Sequence, residues 1–411
     1  MNLEKVIYNM SLFPALSHRN FKLFWFGQCI SLIGTWMQNV GQAWLILQLT
    51  NSPFLLGLIT TLQTLPVMLF SLFIGVYVDR FPKRKLVILA QTGLMILAFI
   101  LSYLTLTGTV KYWHVAVLAT ILGFMNTIDN PSRQSLMIEL VGKEDLLNAI
   151  ALNSSAFNLA RILGPAVAGI LIGYLGIGIC FLLNGLSYLA VIVSLLLMDV
   201  KEEKRTIDES SSVIKDMLEG VRYIFQTPRI YVAILLMFYI STFAMNFNIL
   251  VPVFTKIDLG LEASQYGFLM SAMGVGALIG ALSLAVRSKS GPHMRLLFLG
   301  AVGLSIFQGI LGMTQNFYFA MILIALTGYF MITFTATCNT LIQINSEDHL
   351  RGRVMSVYTL VFVGVAPLGS MYSGTISEHF GAGMTFVISG IIGLVTCTIM
   401  YVIGRKRGIS M

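Results

Sequence analysis

Twelve stretches of the chain are apolar over about 20 residues, the length that carries an α-helix through a bilayer. They fall near 21–49, 53–78, 86–107, 113–137, 149–174, 177–198, 229–254, 262–286, 294–314, 317–341, 353–376 and 382–403. The pattern predicts an all-α membrane protein with twelve transmembrane helices. Between the sixth and seventh spans lies the longest polar interval, Asp199 to Pro228, rich in Glu, Lys, Arg, Asp and Ser. It divides the chain into an N-terminal six-helix bundle (1–198), a central cytoplasmic loop (199–228) and a C-terminal six-helix bundle (229–411). Within the loop, Val213 to Phe225 carries apolar residues at helical spacing and predicts an amphipathic helix lying along the membrane surface.

One span breaks the apolar rule in a regular way. Gln28, Ser31, Thr35, Gln38 and Gln42 follow one another at intervals of three and four residues in the first span, so all five share one helix face. Two readings fit: a face lining a polar cavity, or side chains that bond a neighbouring helix. Trp36 and Asn39 flank the stripe. Asn126 in the fourth span, Tyr239, Thr242 and Asn246 in the seventh, and Thr333, Thr337 and Thr340 in the tenth are candidate partners across a cavity.

Composition agrees with the span count. Hydrophobic residues make up 56% and charged residues 11% of the chain, against about 25% charged in a soluble domain. The net charge of +8 does not imply nucleic acid, because nearly all of the bases sit at short loops. Of the 26 Lys and Arg, only Lys111 and Lys256 lie in odd-numbered loops and only Arg161 lies deep in a span; the rest are at the termini, in the even loops or at their borders. By the positive-inside rule both termini are cytoplasmic. The four cysteines, Cys29, Cys180, Cys338 and Cys397, all fall in apolar runs without metal-ligand spacing and read as buried hydrophobes. No cleavable signal peptide is expected, since the first twenty residues are polar and mixed.

The halves echo each other. Glu144-Asp145 precedes a span with Pro165, and Glu347-Asp348 precedes a span with Pro367, at offsets of 203 and 202 residues. A duplicated six-helix bundle places a cavity between its halves near the bilayer midplane.

Two charged sites lie inside spans. Asp129 and Arg133 in the fourth span are one helical turn apart and flank Pro131. Asp129 is the one acid assigned to a span, so it is the candidate for a carboxylate that takes up and releases a proton; the alternative is a permanent ion pair that shapes the helix. Arg161 in the fifth span reads either as a contact to substrate or to a carboxylate, or as a structural tie to polar neighbours. Enzyme signatures are lacking. There is no Walker G-x-x-x-x-G-K-[ST], no H-E-x-x-H and no G-x-S-x-G, and GVGALIG at 274–280 is a packing surface, with no preceding strand to make it a dinucleotide site. No catalytic residue, metal or cofactor is expected.

The loop between the second and third spans reads GVYVDRFPKRK, residues 75–85. With twelve spans, a six-plus-six repeat and a long central loop, it resembles the major facilitator superfamily. Gly75, Asp79, Arg80, Lys83, Arg84 and Lys85 match that superfamily's loop signature, with Pro82 in place of its second Gly; the loop between spans eight and nine keeps Arg287, Lys289 and Arg295 but lacks the Asp. NPSRQSLMIELVGKEDLLNAIALNSSAFNLARILGPAVAGIL and WMQNVGQAWLILQLTNSPFLLGL resemble the exporter branch that includes the enterobactin exporter and the macrolide efflux proteins. Gly164, Pro165 and Gly169 are similar to the fifth-helix motif associated with antiporters, with Ala168-Gly169 for its usual Gly-Gly.

The resemblance implies a conformational latch at Gly75, Asp79, Arg80, Lys83 and Arg84, and a transport path lined by spans one, four, seven and ten. The expected function is a secondary active transporter, a proton-coupled exporter of a bulky amphipathic drug-like or siderophore-like molecule working by alternating access. An importer of a small solute is the alternative. The expected setting is a bacterial-type inner or plasma membrane, with a small-molecule substrate, lipid and protons as partners, no nucleic acid, and the chain acting as a monomer.

Overall fold

The computed structural model describes residues 13–199, 213–286 and 293–409, without the side chains of 71–73, 75–80 and 213–217. Every regular element among them is helical: α1 (Arg19–Thr50), α2 (Pro53–Arg80), α3 (Lys83–Leu106), α4 (Tyr112–Val141), α5 (Leu146–Leu175), α6 (Ile177–Leu196), α7 (Val213–Gln226), α8 (Pro228–Phe243), α9 (Phe247–Val253), α10 (Ala263–Val286), α11 (Met294–Leu311), α12 (Phe317–Asn345), α13 (Arg351–Phe362) and α14 (Ala366–Lys406). α1 to α6 are the first six spans. α7 forms where the amphipathic segment was expected.

Among the described residues nine segments are long and apolar enough to cross a membrane. The last, Arg351–Lys406, is 56 residues long and holds two crossings, because Gly381 at φ 79° interrupts α14. α1 and α4 fall outside the nine although they run 32 and 30 residues. Their glutamines, asparagines and the Asp129–Arg133 pair dilute the hydropathy. Both helices bury polar side chains, Gln28, Gln38 and Gln42 in α1 and Thr127, Asp129 and Ser132 in α4.

The seventh span, expected to be continuous over 229–254, is broken instead. α8 ends at Phe243 and α9 begins at Phe247. At the break the Asn246 side-chain amide donates to Thr242 O at 2.8 Å and replaces a turn of backbone ladder. The eleventh span is likewise interrupted between Phe362 and Ala366.

The chain divides into two compact units. One is Met1–Gly41 with Leu69–Asp208, and the other is Gln42–Met68 with Glu209–Met411. The turn end of the first hairpin, Gln42–Met68, therefore belongs with the C-terminal helices. In the first unit α3 packs on α4 and α6, and Phe21, Phe24, Val87, Leu136 and Leu195 close one end of its core. In the second, α12 packs on α10 and α11, and α14 on α8, α9 and α11.

Candidate functional site

The polar stripe of α1 faces inward. Gln28, Ser31, Gln38 and Gln42 are buried and Thr35 is half-buried. Much of the stripe meets another helix. Gly34 lets α6 approach so closely that a Cβ there would sit 2.6 Å from Asn184 Oδ1. Asn184 Nδ2 donates to Gln38 Oε1 at 2.6 Å, and Ser187 Oγ donates to Asn184 O at 2.7 Å. Gln38 thus realises the helix–helix reading of the stripe rather than the cavity reading. The reason is physical: an amide with no water available takes the nearest amide. Gln42 is similarly held, donating from Nε2 to Gln63 Oε1 of α2 at 2.9 Å.

The network continues across the first unit. Tyr188, one residue past Ser187, is buried on the same helix. Asp129 is 4% exposed. Its Oδ2 accepts from Arg133 Nη2 at 2.6 Å and Nε at 3.1 Å, and its Oδ1 accepts from Gln91 Nε2 of α3 at 2.9 Å. Arg133 Nη1 and Gln91 Oε1 are buried without a hydrogen-bond partner. Asp129 lies twelve residues, or about 18 Å, from the C-terminal end of α4. A carboxylate buried this fully needs donors such as the three it has. Gln91, Asn184 and Tyr188 were not among the sequence candidates. Isolated amides inside otherwise apolar third and sixth spans were the available signal.

Arg161 is 8% exposed. Its Nη2 donates to Asn158 Oδ1 at 3.1 Å, while Nε is buried without a partner. No described carboxylate pairs with it, so the structure shows the tie to a polar neighbour. Phe157, on the same face of α5, is exposed and meets Trp36 edge-on at 5.8 Å. Trp36 and Phe157 together make an aromatic pair between α1 and α5. Asn126 is half-buried on α4.

Gly164, Pro165 and Gly169 are buried on α5. Gly164 lies against α1, where a Cβ would press on Trp36 Cβ and stand 3.1 Å from Ile33 O. Pro165 removes the N–H that would bond Arg161 O, which loosens the helix at the same point. Gly164→Leu is expected to separate α1 from α5, costing about 1–3 kcal/mol by overpacking. A lower melting temperature in detergent, with transport reduced beyond the loss of folded protein, is the outcome to be measured.

In the second unit the broken seventh span carries the polar and aromatic groups. Tyr239, 38% exposed, stacks on Phe243 at 6.3 Å, and Phe243 meets Tyr372 of α14 edge-on at 5.0 Å. Tyr372 Oη lies 3.2 Å from Ser389 Oγ. Asn246, at the break, packs on Gly369, where a Cβ would come within 2.5 Å of its Oδ1. Thr337 is fully buried in α12 without a hydrogen-bond partner, and Thr333 bonds its own backbone at Tyr329 O. The structure therefore encloses Thr337 in helix packing instead of exposing it to a cavity. Tyr372 and Phe243 were missed because nothing local distinguishes them from core aromatics.

The family model for transmembrane secretion effectors matches residues 10–407. The chain belongs to this family of the major facilitator superfamily. It is 25% identical over 393 residues to the staphyloferrin A transporter of Staphylococcus aureus, covering 95% of this chain and 98% of that one. It is 24% identical over 389 residues to the multidrug efflux pump Tap of Mycolicibacterium fortuitum, covering 92% and 94%. It is 25% identical over 417 residues to the enterobactin exporter EntS of Shigella boydii serotype 4, covering 99% and 97%. Among solved structures, a bacterial homologue of the human lysosomal transporter Spinster superposes with a TM-score of 0.77 at 13% identity, over 96% of this chain and 98% of that one. That likeness shows the fold.

As a member of the major facilitator superfamily the chain is a membrane transporter and not an enzyme. For the loop signature of this transporter, Gly75, Asp79 and Arg80 lie outside the residues whose side chains are described. Lys83 is buried, 8% exposed, and donates from Nζ to Phe81 O at 3.2 Å. Arg84 donates from Nε to Leu195 O at 2.7 Å and from Nη2 to Leu196 O at 3.1 Å. It caps the C-terminal carbonyls of α6, where a cation also meets the negative end of the helix dipole. Among the described residues no cluster of His, Cys, Asp and Glu has the makings of a metal site.

Proposed function

We propose that this transporter is a proton-coupled secondary exporter of a bulky, amphipathic, siderophore-like or drug-like molecule, working by alternating access as a monomer in a bacterial cell membrane with both termini cytoplasmic. The observation that carries the reading is Asp129, a carboxylate deep in a membrane-crossing helix, held by Arg133 and Gln91. Protonation would release Arg133, and deprotonation would recapture it. The relatives' functions, export of enterobactin and multidrug efflux, support the direction and the substrate class. Each unit by itself carries aromatic surface of the kind such a substrate needs: Trp36 with Phe157 in the first, with Thr35, Asn126 and Arg161 as polar groups, and Tyr239 with Phe243 and Tyr372 in the second, with Asn246. Gly75, Asp79, Arg80, Lys83 and Arg84 would act as the cytoplasmic latch.

Inside-out vesicles from cells expressing the chain test this directly. With the interior acidified by respiration, an amphipathic dye is expected to accumulate, and adding a substrate is expected to release protons from the lumen. Both signals should vanish with an uncoupler. Accumulation only in right-side-out vesicles would establish uptake instead.

A further inference from the structure

A groove of about 630 Å³ runs along the seam of α1 and α6 on the first unit. Its walls are Phe26 and Ile30 from α1 and Leu189 and Val193 from α6, all 44–55% exposed. At one end stand Arg19 and Lys22, three residues apart on one turn and both exposed. Neither makes an ion pair with a described residue. Asn20, between them, clasps Asp199 at the end of α6: its Nδ2 donates to Asp199 O at 2.8 Å, and its Oδ1 accepts from Asp199 N at 3.3 Å. The clasp fixes the mouth of the groove.

The dimensions decide what occupies it. From Arg19 to Ile30 is eleven residues, about 16 Å of helix, and one leaflet of the hydrocarbon core is half of about 30 Å. A partner helix would need the full thickness, whereas an acyl chain needs one leaflet. The cations lie on the side where basic residues gather, the side on which basic pockets between helices hold lipid headgroups. We propose that this groove binds an anionic phospholipid, its phosphate on Arg19 and Lys22 and an acyl chain along Phe26, Ile30, Leu189 and Val193.

Native mass spectrometry of the delipidated full chain with added phosphatidylglycerol or phosphatidylcholine tests the site. Preferential retention of phosphatidylglycerol is expected. Arg19→Ala with Lys22→Ala should weaken it by on the order of 25-fold, given about five-fold per base near a lipid headgroup. Ala190→Phe, which fills the groove and leaves the charges in place, should weaken it as well. The exposed pair Arg405→Ala with Lys406→Ala should not. Equal losses for the two double variants would overturn the proposal in favour of general surface charge. Unchanged binding in folded Ala190→Phe would place the lipid elsewhere, and competition by free glycerol 3-phosphate would mean a soluble phosphate site. The Arg19/Lys22 pair is surface-exposed, so its variant keeps the test open if Ala190→Phe does not fold.

Discussion

Asp129→Asn is expected to abolish proton-driven export and to lower the yield of folded protein. The carboxylate accepts three N–H groups, two from Arg133 and one from Gln91. An asparagine keeps one acceptor and turns the other position into a donor facing a donor. Arg133, with 15% of its side chain exposed, is left buried without a counter-charge. Breaking a buried pair from one side costs about 3–5 kcal/mol, so a large loss of thermal stability is expected alongside the loss of transport.

Neutralising both partners separates the two effects. Asp129→Asn with Arg133→Gln removes the orphaned charge, and most of the lost stability should return. Export should not return, because no titratable group remains at the site. Melting curves in detergent and dye accumulation in inside-out vesicles read the two quantities independently. If the double variant exports at the wild-type rate and still stops with an uncoupler, the coupling carboxylate lies elsewhere and the pair is structural. Asp129→Glu, which keeps the charge and lengthens the arm, is expected to retain partial coupling.

The sequence made the crossings legible because each demands about 20 apolar residues, and α2, α3, α5, α6, α10, α11 and α12 fall where hydropathy places them, whereas polar side chains dilute it in α1 and α4. Their ends were less legible. α4 runs on to Val141 and α12 to Asn345, since a helix does not stop at the edge of its apolar stretch when polar residues can continue its hydrogen bonds. The break at Ala244–Asn246 was hidden because its neighbours are apolar and only one side chain, Asn246, makes it. The helix that the α1 stripe meets was not legible. Periodicity fixes which residues share a face, whereas the pairing of Gln38 with Asn184, 146 residues on, is set by which helix packs there. For the same reason Arg161 and Asp129 were both legible as buried charges, but their partners Asn158 and Gln91 were not.

Gly57→Leu is expected to unseat the turn end of the first hairpin and stop transport. At this point α2 crosses α14 with no side chain between them. A Cβ at Gly57 would lie 2.6 Å from Ser370 O and 3.0 Å from Gly374 Cα, and one at Gly374 would lie 2.9 Å from Pro53 O. These are backbone atoms, so the clash cannot be relieved by turning a rotamer. The crossing sets the register of the bonds around it. Glu378 accepts from Ser52 Oγ at 2.7 Å and from Phe54 N at 3.0 Å, so that an α14 carboxylate caps the first turn of α2. Thr61 Oγ1 donates to Pro367 O at 3.2 Å, and Lys256 Nζ donates to Leu47 O. Each such bond contributes about 1 kcal/mol, and those between the α2 segment and α14 depend on the close approach that glycine permits. In a Thr61→Cys background, labelling by a membrane-impermeant maleimide should therefore be slow, and about ten-fold faster once Gly57→Leu is added, given about 1–3 kcal/mol for overpacking. Glu378→Gln keeps an acceptor and loses only the charge, so its effect should be a few-fold at most. Equal labelling rates with and without Gly57→Leu, in protein shown to be folded, would mean that the hairpin is held by contacts other than this crossing.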